Sequence, residues 1–273
     1  MDSDARGIVR PEEGLRRFSL HRCAPSPEVG RFVDRYWIVR WDLRGREPHI
    51  QRVLSHPVVN VVFEQGHAEV HGVTTRTTER TLEGAGRVLG VMFRPAGFRP
   101  FLGRSMSTLT DRTVPLADVL GGRATDLAAA VAGAVDDDAD DPDLAALVDR
   151  ALAELVPADR QPSEHTTAIA EHAASEPSIA RTSTLAARAG MSVRQLQRRF
   201  ADHVGLHPKA VLRRYRLYEA AERARHGTTV DWSGLAVELG YSDQAHLTRD
   251  FCAAFGLPPG RYARLAGRGG LGL

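Results

Sequence analysis

One short segment of the chain concentrates long side chains that donate hydrogen bonds. In the stretch GMSVRQLQRRFADHVG, at 190–205, Arg194, Gln197 and Arg198 fall at positions i, i+3 and i+4, and no carboxylate appears before Asp202. Side chains at this spacing share one face of an α-helix. Arginine pairs with O6 and N7 of guanine and glutamine with N6 and N7 of adenine, so such a face suits the base edges of a DNA major groove.

The same stretch contains the signals that would position this face. Ser192 is a good N-cap, because its hydroxyl accepts a hydrogen bond from a free amide of the first helical turn. The apolar residues recur on the opposite side, where we expect them to pack on a preceding helix: Val193, Leu196, Phe200 and Val204. One alternative stays open here, a solvated arginine-rich surface, since every basic residue except Lys209 is an arginine.

A segment of about fifty residues occurs twice, which is typical of a repeated structural unit. The stretch LAARAGMS at 185–192 aligns with LAVELGYS at 235–242, and LQRRFADHVGLHP at 196–208 aligns with LTRDFCAAFGLPP at 247–259. Each copy has a short amphipathic segment, a turn with glycine, a serine cap, a second helical segment and a Gly-x-x-Pro stop. This layout predicts two helix-turn-helix units.

The second copy places hydrogen-bonding side chains on the same side of its helix. Its outer face holds Gln244, Ala245, Thr248 and Arg249. Its inner face holds Leu247, Phe251 and Phe255. Because the arrangement recurs, we favour major-groove recognition over a merely solvated surface.

From about Thr166 to Leu265 the chain resembles the DNA-binding domain of the AraC/XylS family of transcription regulators. The resemblance is carried by LAARAGMSVRQLQRRF, the bridging GLHPKAVLRRYRLYEAAERARHG, and LAVELGYSDQAHLTRDFCAAFGLPPGRYAR. It implies two helix-turn-helix units joined by a linker helix at about 208–226. The family's recognition positions fall on Arg194, Gln197, Arg198, Gln244, Ala245, His246 and Arg249.

The resemblance also implies partners and a role. A regulator of this family binds double-stranded DNA and RNA polymerase, and by family habit it activates transcription. Candidate phosphate contacts are Ser192 and, on the linker helix, Arg213 and Arg214. Ala245 departs from the family, which often has a longer polar side chain there; its methyl group reaches only a thymine methyl group.

Charge is divided unevenly along the chain. From Arg181 to the end there are 15 Lys and Arg against 7 Asp and Glu, whereas the preceding residues hold 21 basic and 27 acidic side chains. A basic C-terminal part and an acidic N-terminal part indicate that only the former meets a polyanion.

The N-terminal half mixes short β-type runs with turn signals. We predict strands at 35–43, 58–65, 68–73 and 87–95, because these runs are rich in β-branched and aromatic residues and are separated by Gly and Pro. Helical spacing begins near Pro115. The fold class is therefore α+β: an N-terminal β-barrel or sandwich-like domain with flanking helices, followed by an all-α domain.

This half also looks like the N-terminal domain of one subset of these regulators, over roughly 21–122, which implies an effector or dimerisation module. Trp37, Trp41, Phe63 and Phe93 are candidates to line a small-molecule pocket, or they form the core of the barrel. Arg94 is a candidate anchor for an effector's carboxylate, or a surface cation. A small-molecule effector and a homodimer both stay open.

The predicted boundaries follow these changes in pattern. They are a flexible tail at 1–19, the N-terminal domain at 20–156, a linker at 157–165, the DNA-binding domain at 166–266 and a second flexible tail at 267–273. The acidic run at 136–143 is interpreted as a solvated loop that caps the next helix.

Several classes of function lack their residues. Cys23 and Cys252 are too few for a disulfide framework or a cysteine zinc site, and the histidines have no metal-ligand spacing. No nucleophile elbow or phosphate loop occurs. We therefore expect no enzyme activity, cofactor or metal. With no signal peptide and no membrane-length apolar run, we expect a cytoplasmic protein.

Overall fold

The computed structural model describes Val9 and residues 11–136, 138–226 and 230–268. In these residues an N-terminal domain, built on an antiparallel sheet, is followed by a C-terminal domain of helices alone. The predicted α+β class with two domains is confirmed.

The N-terminal domain contains eight described strands: β1 (Phe18–Cys23), β2 (Val33–Asp42), β3 (His49–Val53), β4 (Asn60–Glu64), β5 (His67–His71), β6 (Thr78–Leu82), β7 (Ala85–Phe93) and β8 (Thr113–Pro115). Six of them form one sheet in the order β1-β2-β7-β4-β5-β8, while β3 and β6 pair as a separate ribbon. The main sheet is open at β1 and β8, so the domain is sandwich-like rather than a closed barrel.

The four predicted strands correspond to β2, β4, β5 and β7, the strands with dense apolar sequence. The ribbon strands escaped prediction because their sequences, HIQRV and TERTL, are mostly polar. Strands of this kind bury little and are identified only by their pairing, here His49 opposite Leu82 through Val53 opposite Thr78.

Short helices and two long ones complete the N-terminal domain: α1 (Pro11–Gly14), α2 (Arg99–Leu102), α3 (Ala117–Leu120), α4 (Gly122–Asp136) and α5 (Asp141–Ala153), with 3₁₀ turns at Val29–Arg31 and Met106–Leu109. Helix α4 packs on β4 and β5, and α5 packs beside β1. Their apolar faces, Val131, Leu144 and Val148 among them, close the core over the sheet.

The acidic run is not wholly the solvated loop that we expected. Asp141 Oδ1 accepts hydrogen bonds from Arg40 Nε at 2.9 Å and from Arg87 Nη2 at 2.5 Å. These bonds oppose the effect of burial and hold the pKa of Asp141 below its usual value. The start of α5 is thus tied to β2 and β7, because a half-buried carboxylate needs paired donors.

The C-terminal domain consists of α6 (Pro162–Ser175), α7 (Thr182–Arg188), α8 (Val193–His203), α9 (Pro208–His226), α10 (Trp232–Glu238), α11 (Gln244–Phe255) and α12 (Pro259–Arg268). Helices α7 and α8 form the first helix-turn-helix unit, and α10 and α11 form the second. Helix α9 occupies the range predicted for the linker helix.

The segments predicted as a linker and a flexible tail are partly structured. The predicted linker at 157–165 already contains the first turn of α6, whose Gln161 and Glu164 form a capping box. Arg31 donates to the carbonyl oxygen of Pro157 at 2.8 Å and to Glu164 Oε1 at 2.8 Å. The N-terminal tail prediction also contains α1 and the start of β1; residues 1–8, 10 and 269–273 lie outside the described residues.

The apolar core extends across the boundary between the two domains. One continuous cluster contains residues of the sheet, such as Val61 and Val91, together with Leu185, Leu196 and Phe200 of the first helix-turn-helix unit. A second cluster holds the other unit, with Leu247 and Phe251 at its centre.

In the described part of the chain, no helix combines the length and apolar character that crossing a membrane requires.

Candidate nucleic-acid interface

Helix α8 starts where its cap signal predicts. The Ser192 hydroxyl accepts a hydrogen bond from the Gln195 amide at 3.3 Å, and Gln195 Oε1 accepts one from the Ser192 amide at 2.8 Å. This reciprocal capping box satisfies two amides that a helix start otherwise leaves open. The first turn of α8 is therefore held firmly while its side chains point outward.

The two faces of α8 are divided as the helical period predicts. Leu196 and Phe200 are fully buried, and Arg194, Gln197 and Arg198 are exposed. Val193, which we expected on the inner face, is 38% exposed. It is the first residue of the helix, and burial begins only one turn later.

The exposed arginines of α8 are available to a ligand. Within the described ranges, neither Arg194 nor Arg198 forms a salt bridge with a carboxylate. Arg199 differs, because its Nη1 lies 3.0 Å from His165 Nδ1 on α6. Two unpaired guanidinium groups on one exposed helix face make a surface that attracts anions and can hydrogen-bond base edges.

Helix α11 has the same layout with a different cap. Asp243 Oδ1 accepts a hydrogen bond from the His246 amide at 2.7 Å. That bond, more than any other influence, holds the pKa of the exposed Asp243 carboxyl below its usual value. The second unit thus has a negative charge at the start of its recognition helix, where the first has the neutral hydroxyl of Ser192.

The predicted contact residues of α11 are only partly free. Ala245 and Arg249 are exposed, and Thr248 is half-buried. Gln244 Oε1 already accepts a hydrogen bond from Ser233 Oγ at 2.8 Å. His246 is half-buried: its Nδ1 lies 3.1 Å from Ser242 Oγ, and its ring meets the Tyr241 ring edge-on at 5.1 Å.

The two linker-helix arginines that we predicted as phosphate contacts have partners inside the protein. Arg213 Nε and Nη2 donate to Asp250 of α11 at 2.7 and 2.9 Å, and these bonds raise the pKa of Arg213. Arg214 is 8% exposed and donates to the carbonyl oxygens of Ser55 and Thr74 in the N-terminal domain. Arg214 is thus held inside the protein, whereas the Arg213 side chain stays 48% exposed beside its carboxylate partner.

The four aromatic residues proposed for an effector pocket do not come together. Trp37 and Trp41 lie on the outer face of β2, where each covers a glycine of β7, Gly90 and Gly86. Their indole nitrogens donate to Asn60 Oδ1 and to the carbonyl oxygen of Glu83, both at 3.0 Å. Alternation along the strand puts them opposite the core face.

Phe63 and Phe93 do share a cavity, but a very small one. Both are buried in the core between the sheet and α4 and α5. The space that they line with Val148 and other apolar residues measures about 10 Å³. A cavity of this size holds a single water molecule at most. The N-terminal core is therefore filled by its own side chains.

Arg94 lies beside one of the protein's own carboxylates. Its Nε is 3.2 Å from Glu171 Oε1 on α6, so the pair joins the two domains. Burial raises the pKa of Glu171, and Arg94 opposes that rise. The candidate anchor for an effector's carboxylate thus pairs with a carboxylate of the protein itself.

Across the described residues, no group of three or more His, Cys, Asp or Glu is arranged to hold a metal ion.

Comparison with known proteins agrees with the two-part organisation. Residues 185–265 match the family described as a helix-turn-helix domain. Residues 21–115 match DUF6597, described as a domain of unknown function.

Among solved structures, the chain is similar to ToxT from Vibrio cholerae O395, with 11% sequence identity, a TM-score of 0.38, and coverage of 92% of this chain and 98% of that chain. It is also similar to wild-type ToxT from Vibrio cholerae strain SCE256 bound to an unsaturated fatty acid, with 10% identity, a TM-score of 0.38, and coverage of 91% and 92%.

The C-terminal match covers both repeats, both capped helices and the linker helix between them. The N-terminal match covers β2, β4, β5 and β7, the strands that the sequence predicts. The chain thus carries an AraC-type helix-turn-helix domain at its C-terminus, after a domain of unknown function, which is the organisation of a DNA-binding transcription regulator.

Proposed function

We propose that this regulator reads two adjacent major-groove segments on one side of the DNA duplex, with α8 in one segment and α11 in the next. The observation that carries the proposal is the pair of exposed, capped helix faces joined by one helix. The 19 residues of α9 span about 28 Å at ~1.5 Å per residue. Successive major-groove segments on one side of DNA lie about 34–36 Å apart, which suits two units joined by such a helix.

The test starts from a binding site selected out of random duplex DNA by the full-length protein. We expect a protected region of about 20 bp with two conserved boxes about 10 bp apart. Arg198→Ala should weaken binding by about 5- to 150-fold and relax the preference at one base pair in one box. Arg123→Ala, an exposed arginine on α4, is the matched control and should change nothing.

Two results would contradict this function. One is a footprint confined to a single box that Arg249→Ala leaves unchanged. The other is an equal loss of affinity for selected and random DNA in Arg198→Ala, which would make Arg198 a phosphate contact.

The interior of the N-terminal domain supports one of the two roles proposed for it. The effector-independent reading, in which this domain serves assembly or contact with RNA polymerase, is favoured by the filled core around Phe63 and Phe93. The family resemblance supports a cytoplasmic protein that activates transcription. It also supports a protein that has no enzymatic activity and needs no metal or cofactor. A thermal-shift screen of the full-length protein against a metabolite library tests whether the N-terminal domain binds an effector. A compound that stabilises the protein and changes its DNA affinity would establish the effector reading instead.

A further inference from the structure

A pair of opposite charges connects the linker helix to the second recognition helix. Arg213 of α9 binds Asp250 of α11 through two hydrogen bonds, from Nε to Oδ2 at 2.7 Å and from Nη2 to Oδ1 at 2.9 Å. The Asp250 side chain is 15% exposed, so the pair is shielded from water on the carboxylate side. A two-point bond between a planar guanidinium and a carboxylate fixes orientation as well as distance.

A second arginine on the same side of α9 holds the turn that precedes α11. Arg216 Nη1 donates to the carbonyl oxygens of Leu239 and Gly240, both at 3.3 Å. Its guanidinium lies 4.8 Å from the centre of the Tyr241 ring. Because Arg213 and Arg216 are spaced i, i+3, they share one face of α9 and contact the turn and the recognition helix together.

The first unit has no equivalent of this arrangement. In the aligned repeats, Asp250 corresponds to Arg199, so the position that receives Arg213 in one unit is basic in the other. Arg199 lies against His165 of α6. Both recognition helices bury two apolar side chains completely, but the charged partner of the first is Arg99 of the N-terminal domain, 3.5 Å from Asp202, and not an arginine of α9. The paired charges are therefore a feature of the second unit and not of the motif.

We propose that Arg213 and Asp250 are positioning residues that set the orientation of α11 on the linker helix, and thereby the spacing between the two DNA boxes. The inference rests on the proposed function, the reading of two adjacent groove segments. Neither residue needs to touch DNA. Successive base pairs are rotated by roughly a tenth of a turn, so a small rotation of α11 moves its reading face to a neighbouring base pair.

The experiment measures the affinity of full-length protein for the selected site and for versions with one base pair added or removed between the boxes. We expect the wild type to prefer its own spacing by about tenfold or more, the scale of one mismatched base pair. Arg213→Lys keeps the charge and loses the two-point bond, so it should reduce this preference to about threefold or less. Asp250→Asn should do the same.

A phosphate contact at Arg213 predicts the opposite pattern and would overturn the proposal. In that case Arg213→Lys would keep both affinity and spacing preference. Asp250→Asn would release Arg213 and raise the affinity for all spacings alike. Lys209→Ala, which removes another cation of α9, is the matched control and should leave the spacing preference intact.

Binding to the first box alone separates positioning from folding. We expect Arg213→Lys and Asp250→Asn to bind it like the wild type; a loss there would place the pair in the fold and overturn the inference. If the wild type itself binds paired boxes no better than one box, the proposed function fails. If the wild type prefers one spacing and both variants keep that preference, only the inference fails.

Discussion

The two helix-turn-helix units share a sequence pattern but are held in different ways. The inner face of α8, with Leu196 and Phe200, belongs to the same apolar cluster as the sheet of the N-terminal domain. The inner face of α11, with Leu247 and Phe251, belongs to a separate cluster formed mainly with the linker helix, to which the N-terminal domain contributes Val9 and Leu54. A repeated motif thus fixes which face is buried and leaves open what that face is buried against.

The hydrogen bonds that hold the two units differ in the same way as their apolar contacts. The first unit is bonded directly to the N-terminal domain, for example from Thr110 Oγ1 to the carbonyl oxygen of Gly205 at 2.7 Å. The second unit receives one bond from that domain at its far end, from Thr77 Oγ1 to the carbonyl oxygen of Ala254 at 2.9 Å. Further polar anchors of the second unit come from α9, among them Arg213, Arg216 and Arg223. We therefore expect the first unit to unfold with the N-terminal domain, and the second to open more independently.

The largest expected effect is a loss of stability that distinguishes the two apolar clusters. Phe200→Ala and Phe251→Ala each remove a fully buried ring, so each should cost about 3–5 kcal/mol in the free energy of unfolding. Measured by hydrogen exchange, Phe200→Ala should reduce protection in α8 and in β4 and β7. Phe251→Ala should reduce it in α10, α11, α12 and the adjoining part of α9, and should leave β4 and β7 protected. Loss of protection in the sheet from Phe251→Ala would contradict the division into two cores.

The next effect concerns the contact between the linker helix and the N-terminal domain. Arg214→Met removes a buried guanidinium together with the hydrogen bonds that it donates to the carbonyl oxygens of Ser55 and Thr74. We expect a cost of about 1–3 kcal/mol in the free energy of unfolding. Faster exchange in the ribbon of β3 and β6 should accompany it. Lys209→Met on the exposed start of α9 is the control, and an equal loss from both variants would count against the contact.

A third comparison concerns DNA affinity in the two units. The carboxylate of α8, Asp202, lies beside Arg99 and His203, whereas Arg249 shares its helix with Asp250 and with Asp243, the ionised cap of that helix. Removing Arg194 or Arg198 from α8 should cost about 1–3 kcal/mol of binding free energy. Arg249→Ala should cost less, because the ionised Asp243 on the same helix opposes its attraction to DNA. Titration of the selected site with each variant measures the three losses, and equal losses would refute the asymmetry.

The smallest expected effect is a dependence on pH in the first unit alone. Burial, first of all, lowers the pKa of His203, and Arg199 and Arg99 act in the same direction, while Asp202 opposes them. Its Nδ1 lies 2.7 Å from Thr166 Oγ1. In the second repeat the aligned residue is Ala254, which does not titrate.

The sign of this dependence follows from the lowered pKa. The fold favours neutral His203, so stability is full above the unfolded pKa of about 6.5 and falls as pH drops below it, levelling off under the folded pKa. Thermal unfolding between pH 7.5 and about 5 should show this decline. His203→Gln should make it shallower; an unchanged slope in that variant would assign the decline to other groups.

Much of the DNA-reading surface could be predicted from local rules. The helical period separates Leu196 and Phe200 from Arg194 and Arg198, and a serine or aspartate before the apolar run marks where each recognition helix starts. Both signals act within one or two turns. For this reason the repeats, the Ser192 cap, the buried faces and the linker helix were evident in the sequence, whereas the second helix is capped by Asp243 and not by the serine predicted there.

Contacts between distant segments could not be predicted in this way. The partners of Arg213 and Arg214 lie 37 and up to 159 residues away, and nothing near them in sequence indicates a carboxylate or a carbonyl oxygen. Alternation predicts that Trp37 and Trp41 share one face of β2, but which face is covered depends on where α4 and α5 pack.

The sequence by itself therefore determined the DNA-binding class of this protein and the side chains that face outward, because helical period and capping are local properties. Only the tertiary structure decided that one unit shares the core of the N-terminal domain, that the other is held by arginines of the linker helix, and that Phe63 and Phe93 line a cavity of only about 10 Å³. These features depend on which surfaces meet after the chain has folded. Burial and ion pairing join residues that no short-range pattern connects.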